Sequence, residues 1–475
     1  MAWYLILLPL LAALLAFLTP SPAWRPRILP ATAVLHLGGL LAALRGPLRP
    51  GAWLALDPMG GWVLLVISVL FLLCAWYTPA YLALRPNRDN RIFITCFLSF
   101  LGLASLLAQA THPGLVWVAM ETLTLSTAPL IYFNKNQRSL EAAWKYLMIG
   151  SVGIAFALLG TLFIAYAAHM GGLREPLRFD RLCLEAARLS RPWLRVGFIL
   201  SLVGYGTKMG IAPLHTWKPD AYGETPGVVG ALLAGGMTSC AFLALLRVQT
   251  VMAAAGEGPF ARGLMVVLGL VSMAWAFVFL VRQGDLKRML AYSSVEHMGI
   301  LLFGIGLGGP AAAFALYHLA ANALVKCVLF LSVGNIHRSY DSRQLPYVTG
   351  AIRRTPVSAW LLLLAFLAIT GTPPFAPFVS EFNLALLALG PGRTWPGLLF
   401  LILLAGVFLA MSDTLVKVVF GAPSRERART PYRDTFGTTA PLIAALALAL
   451  VMGLWLPSPL ASMLRSSAAL LEARP

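Results

Sequence analysis

The stretch Gly204-Tyr205-Gly206-Thr207-Lys208-Met209-Gly210-Ile211-Ala212-Pro213 decides how this chain is read. It lies in an apolar run long enough to cross a bilayer, yet it holds glycines, a proline and a lysine. Proline removes a backbone donor and crowds the preceding turn. The carbonyls it frees must face protein or water, not lipid. A second apolar run is interrupted in the same way, at Thr370-Gly371-Thr372-Pro373-Pro374-Phe375-Ala376-Pro377. Paired interruptions of this kind point to inverted repeats and an ion path. Two unrelated proline kinks are the plainer alternative.

The surrounding chain is membrane throughout. Of its 475 residues 59% are hydrophobic and 11% charged, with a mean hydropathy of +0.79. A soluble protein carries about 25% charged residues. The reading is an all-α polytopic protein of about fourteen spans, with no separate soluble domain. The first covers 2–18, taken as a span and not a signal peptide because no basic segment precedes it. The interrupted spans are the seventh (195–214) and twelfth (356–388); the eighth covers 224–246 and the last 438–464. Breaks five spans apart predict two five-helix repeats. The expected units are 1–91 (spans 1–3), 92–255 (spans 4–8), 256–421 (spans 9–13) and 422–475 (span 14).

The net charge of +18 resides mainly in short loops, so it indicates orientation and not nucleic-acid binding. About twenty Lys and Arg residues fall on one side, Lys135, Lys218, Lys287, Arg425, Arg427 and Arg429 among them, and about thirteen on the other. The richer side is read as cytoplasmic, which puts both termini on the periplasmic face of an inner membrane. The segment 169–195 repeats leucine every few positions (Leu173, Leu177, Leu182, Leu184, Leu189) and is expected along the membrane surface. The five cysteines show no metal-ligand spacing, and no haem, iron–sulfur or nucleotide motif is present. No metal, cofactor or catalytic residue is expected; redox chemistry would belong to partner subunits.

Six ionisable residues lie within apolar spans: Glu121, Lys208, His297, His318, Lys326 and Glu381. Each such group costs at least about 2.5–3.5 kcal/mol near the bilayer centre, so a row of both signs implies a polar path for protons or small cations. Glu121 and Lys208 are expected to pair. His318, Asn322 and Lys326 fall at i, i+4 and i+8 on one helix stripe. Glu296 adds a carboxyl next to His297, though adjacent helical residues point about 100° apart. Asp413 and Lys417, at i and i+4, read as an ion pair or as the outlet of the path.

These residues carry a resemblance. Lys208 to Ala221, followed by Glu224-Thr225-Pro226 and Ala231-Leu232-Leu233, resembles the signature of the antiporter-like subunits of respiratory complex I, group 4 membrane-bound hydrogenases and Mrp cation/proton antiporters. Asp285 to Gly299 and Phe378-Val379-Ser380-Glu381-Phe382 are further matches. The order Glu296-His297-Met298-Gly299 is most similar to the F-type subunit of hydrogenase 4. The resemblance implies that Glu121 and Lys208 form a coupling pair, Lys326 is the central lysine, and Glu381 is the terminal proton-exchange residue. His297 and His318 would lie on the axis between them. It implies other membrane subunits as partners and, through them, a peripheral redox module. A sodium or potassium antiporter subunit and a non-conducting scaffold are the alternatives. Three departures stand out. Ser239 replaces an ionisable residue common in the eighth span, Asn322 replaces a histidine, and Lys218 stands where an apolar residue is common.

Overall fold

The computed structural model describes residues 1–46, 53–173, 177–390, 394–422 and 430–472. Arg425, Arg427 and Arg429 lie outside the described residues. The chain is a multi-pass bundle of α-helices joined by short turns. Among the described residues β-structure is confined to two isolated bridges, Leu54–Ala110 and Asp285–Gln344.

Among the described residues eleven helices are long and apolar enough to cross a membrane, or twelve if the bent pair Leu345–Arg353 and Pro356–Ile369 counts as one. Three of the expected spans fall short alone. Ala2–Leu18 has 17 residues. Arg191–Met209 is diluted by Arg191, Arg195 and Lys208. The expected twelfth span is divided into Pro356–Ile369 and Ala376–Ala388. The expected last span, 438–464, is corrected: its helix ends at Leu454, Trp455 is extended, and a separate helix runs from Ser458 to Glu472. Pro457 and Pro459 explain the stop, since proline cannot continue the ladder.

Local chemistry sets several helix starts. Asp57 accepts from the Gly60 amide at 2.6 Å, and Asp285 from the Lys287 and Arg288 amides at 2.9 and 3.1 Å. Each satisfies donors that the first helical turn leaves free. Residues 177–190 dock on the bundle: Phe179, Leu182 and Leu189 are buried, whereas Leu184 is 73% exposed.

Both interruptions open on a glycine in the left-handed region, Gly210 at φ +70° and Gly371 at φ +72°. The first helix ends at Met209, and the chain re-enters a helix at Trp217–Glu224. A second irregularity follows within the eighth span: one turn of π-helix, Leu233–Met237, lies between Gly227–Leu232 and Thr238–Ala254.

Small residues allow close packing where hydrophobic contrast with lipid supplies no drive. Helices Gln137–Met170 and Arg191–Met209 meet along Gly153, Gly160, Gly197 and Gly204. A Cβ on Gly204 would lie 2.5 Å from the Ala157 nitrogen and 2.6 Å from the Gly153 carbonyl oxygen. This seam presses the Lys208 helix against its neighbour. Gly204→Val should therefore cost about 1–3 kcal/mol through overpacking. The thermal midpoint in detergent should fall; an unchanged midpoint would show that the seam is not tight.

Candidate functional site

Lys208 occupies the last turn before Gly210 and is 1% exposed. Its Nζ donates to Thr124 Oγ1 at 2.7 Å and lies 3.8 Å from Glu121 Oε2. Ser151 donates to the other Glu121 oxygen at 2.7 Å. Gly150 leaves room for the ammonium: a Cβ there would sit 2.5 Å from Nζ. The Glu121 side chain keeps 22% of its surface open, so the acid stands at the edge of the bundle and the lysine inside it. At an effective dielectric near 20, opposite charges at this separation attract by about 4 kcal/mol.

A second cluster surrounds Lys326, which is fully buried and donates to Ser293 Oγ at 2.7 Å. Glu296, 3% exposed, follows Ser293 by three residues on the same helix. Its carboxylate approaches His297 Nε2 to 3.8 Å, so these neighbours meet despite their angular separation along the helix. His297 Nδ1 and His318 Nε2 are 3.0 Å apart, and His318 Nδ1 is 2.8 Å from Ser380 Oγ. Ser380 donates to the Pro377 carbonyl at 2.8 Å, which leaves its oxygen to accept from His318. The network thus assigns a directed row: His297 Nδ1–H to His318 Nε2, His318 Nδ1–H to Ser380, Ser380 to Pro377.

Glu381 closes this row. It is 5% exposed, and its Oε1 has no hydrogen-bond partner. Gly371 faces the carboxylate, and a Cβ there would collide with Oε2. The ligand atoms offered by His297, His318 and Glu381 lie within 4.8 Å of one another. Three such groups around one point can exchange a proton or hold a single cation.

The structure therefore brings the six expected residues into two clusters, Glu121–Lys208 and Lys326 with His297, His318 and Glu381. Glu296 joins the second. Asn322 is buried nearby on the Lys326 helix, with its Oδ1 unpartnered. Ser239 donates to Gly235 O at 2.5 Å and so satisfies the π-turn. Asp413 and Lys417 form a 2.6 Å ion pair on the outer face, with side chains 71% and 63% exposed, and take no part in either cluster.

Two lysines assigned to loops prove to be buried. Lys218 is 0% exposed and Lys287 2%. Lys287 donates to Thr225 O at 2.8 Å. Pro219 offered a signal for Lys218, because proline in a first turn marks a starting helix and not a loop. On this same side Arg343 bridges Asp285, at 2.6 Å, and Glu224, while Asp220 pairs with Lys145, at 2.9 Å, and with Arg288. These six residues line a cavity of about 630 Å³.

Comparison with known proteins gives concordant matches. The family model described as NADH:quinone oxidoreductase/Mrp antiporter, TM matches residues 110–422. A hydrogenase-4 component F homolog from Methylacidiphilum infernorum is 32% identical over 421 residues, covering 86% of each chain. An NADH-quinone oxidoreductase subunit N from Desulforudis audaxviator is 30% identical over 410 residues, covering 82% of this chain and 80% of that one. A chain of the membrane-bound sulfane sulfur reductase, an archaeal respiratory membrane complex, superposes with a TM-score of 0.87 at 21% identity. That match covers 99% of this chain and 97% of the other.

The Glu121–Lys208 geometry makes an energetic prediction. Glu121→Ala strands a buried ammonium and should lower the thermal midpoint, whereas adding Lys208→Met should restore it. The cycle should return a coupling of about 1–3 kcal/mol. Additive single effects would mean that the two groups do not interact.

Proposed function

Because this chain belongs to the NADH:quinone oxidoreductase/Mrp antiporter transmembrane family, we propose that it translocates protons within a redox-driven membrane complex of the hydrogenase or complex I kind. One observation carries this reading: titratable groups of both signs, buried among apolar helices, form clusters beginning at Glu121–Lys208 and ending at Glu381. Purely structural helices gain nothing from so many costly groups.

The assigned roles follow the geometry. Glu121, partly open at the bundle edge, senses a neighbouring membrane subunit. A displacement of Glu121 removes the attraction that holds the Lys208 proton. Protons then reach Lys326 and leave through His297, His318 and Glu381. Histidine suits this step because one ring nitrogen accepts as the other releases. Electron transfer in a peripheral redox module drives the displacement. The exchange end also favours protons over alkali cations, since hard cations prefer oxygen ligands and two of its three groups are imidazoles. The left-handed glycines at the two breaks support the proposed repeats, 92–255 and 256–421.

The decisive comparison is redox turnover against proton uptake in vesicles holding the assembled complex. Lys326→Arg keeps the charge, but a guanidinium does not release its proton. Glu381→Gln keeps the shape without the exchangeable acid. Both should leave turnover and assembly intact and lower the proton-to-electron ratio. Wild-type ratios in both would make these groups packing residues and favour a scaffold.

Orientation follows from the loop charges, with both termini placed on the periplasmic side of the inner membrane. In a background without native thiols, Lys135→Cys and Arg282→Cys should react with an impermeant reagent only in inside-out vesicles, and Leu184→Cys only in right-side-out ones. The opposite pattern would reverse the direction assigned to transport.

A further inference from the structure

The eighth span offers two adjacent hydroxyls, Thr238 and Ser239, which are committed to the Ala234 and Gly235 carbonyls. Lys218 lies against the break that ends the Lys208 helix. It is fully buried, and among the described residues no carboxylate forms an ion pair with it. Its Nζ has a long 3.4 Å contact with Ser294 O and lies 5.8 Å from the centre of the Tyr222 ring. A buried ammonium without an acid is costly, and a structural role would normally supply a counter-charge.

The pocket for this side chain is built. Gly210, which ends the Lys208 helix, lies directly against it. A Cβ on Gly210 would sit 2.6 Å from Lys218 Cδ and 3.1 Å from Nζ. The same break thus presents Lys208 on one side and makes room for Lys218 on the other. Aromatic rings line the interval: Lys208 Nζ lies 5.7 Å from the Tyr146 ring, Tyr146 lies 5.1 Å from Trp217, and Trp217 lies 6.0 Å from Tyr222.

On its far side Lys218 reaches Lys326 through consecutive residues. Ser294 O accepts from Lys218, and Ser293 Oγ accepts from Lys326. Contacts to adjacent residues of one helix bring the two ammonium groups toward each other, where like charges repel. Tyr222 Oη and Ser294 Oγ are buried beside each other here, and Asn322 Oδ1 is buried without a protein hydrogen-bond partner. Polar atoms of this kind are commonly satisfied by ordered water, which also conducts protons.

We infer that Lys218 is the proton carrier between Lys208 and Lys326, standing in for the ionisable side chain that Ser239 lacks. This rests on the proton-translocating reading above. The step balances: an N–H bond of Lys208 breaks, its proton adds to the lone pair of neutral Lys218, and Lys218 passes a proton to neutral Lys326. Bridging hydroxyls or water take each proton as they release another.

The test compares variants in the assembled complex, recording redox turnover and vesicle proton uptake together. Lys218→Met fills the pocket without the amine, and Lys218→Arg keeps charge without proton release. Both should reduce the proton-to-electron ratio by the same step as Lys208→Ala. Adding Ser239→Lys to Lys218→Met should restore at least half of the lost ratio, because it returns an ionisable carrier; a packing role would not respond. Wild-type pumping by Lys218→Met or Lys218→Arg, while Lys208→Ala loses pumping, would overturn the assignment to Lys218 alone. Wild-type pumping by Lys208→Ala as well would overturn the translocation reading itself. If Lys218→Met does not assemble, Lys218→Arg decides: reduced pumping supports the carrier, and a wild-type ratio refutes it.

Discussion

An ammonium group inside apolar helices must find its polar contacts within the reach of its own side chain, because lipid offers none. This constraint shapes the chain around Lys208. Thr124 accepts one of its hydrogens, Glu121 supplies a counter-charge at 3.8 Å, and Gly150 leaves the space it occupies. The small-residue seam with Gln137–Met170 then holds that helix close enough for these contacts. Stability and function therefore draw on the same packing.

The breaks extend this logic. A regular helix satisfies its own carbonyls and presents side chains at fixed angles. Ending it at Gly210 lets one segment point Lys208 toward Glu121 while the next turns Lys218 back into the same interior. Ending another at Gly371 seats Glu381 against backbone that carries no side chain. Glycine serves both positions because its left-handed conformation and missing Cβ are needed together.

Much of this was legible in the residues. Intramembrane charges, Gly/Pro interruptions and the i, i+4, i+8 stripe identified the fold class and the residues that cluster. Periodicity could not place Glu296 against His297, because their contact depends on side-chain reach and not helical angle alone. Lys218 and Lys287 were hidden for another reason. A lysine at the end of an apolar run reads as a solvated loop charge, and only tertiary packing reveals a chain folded inward. Ser239 shows in the sequence which span lacks the ionisable residue common there; which segments pack around that span depends on tertiary folding.

The central claim is that protonation at Glu381 depends on the distant Glu121–Lys208 pair. Redox-induced infrared difference spectroscopy of the assembled complex tests it most directly. Turnover should give a deuterium-sensitive carboxyl band, assigned to Glu381 by its shift in Glu381→Asp. In Glu121→Gln, where Glu381 is intact, the coupled axis predicts that this band disappears while turnover continues. A Glu381 band that persists unchanged without the Glu121 carboxylate would contradict the claim.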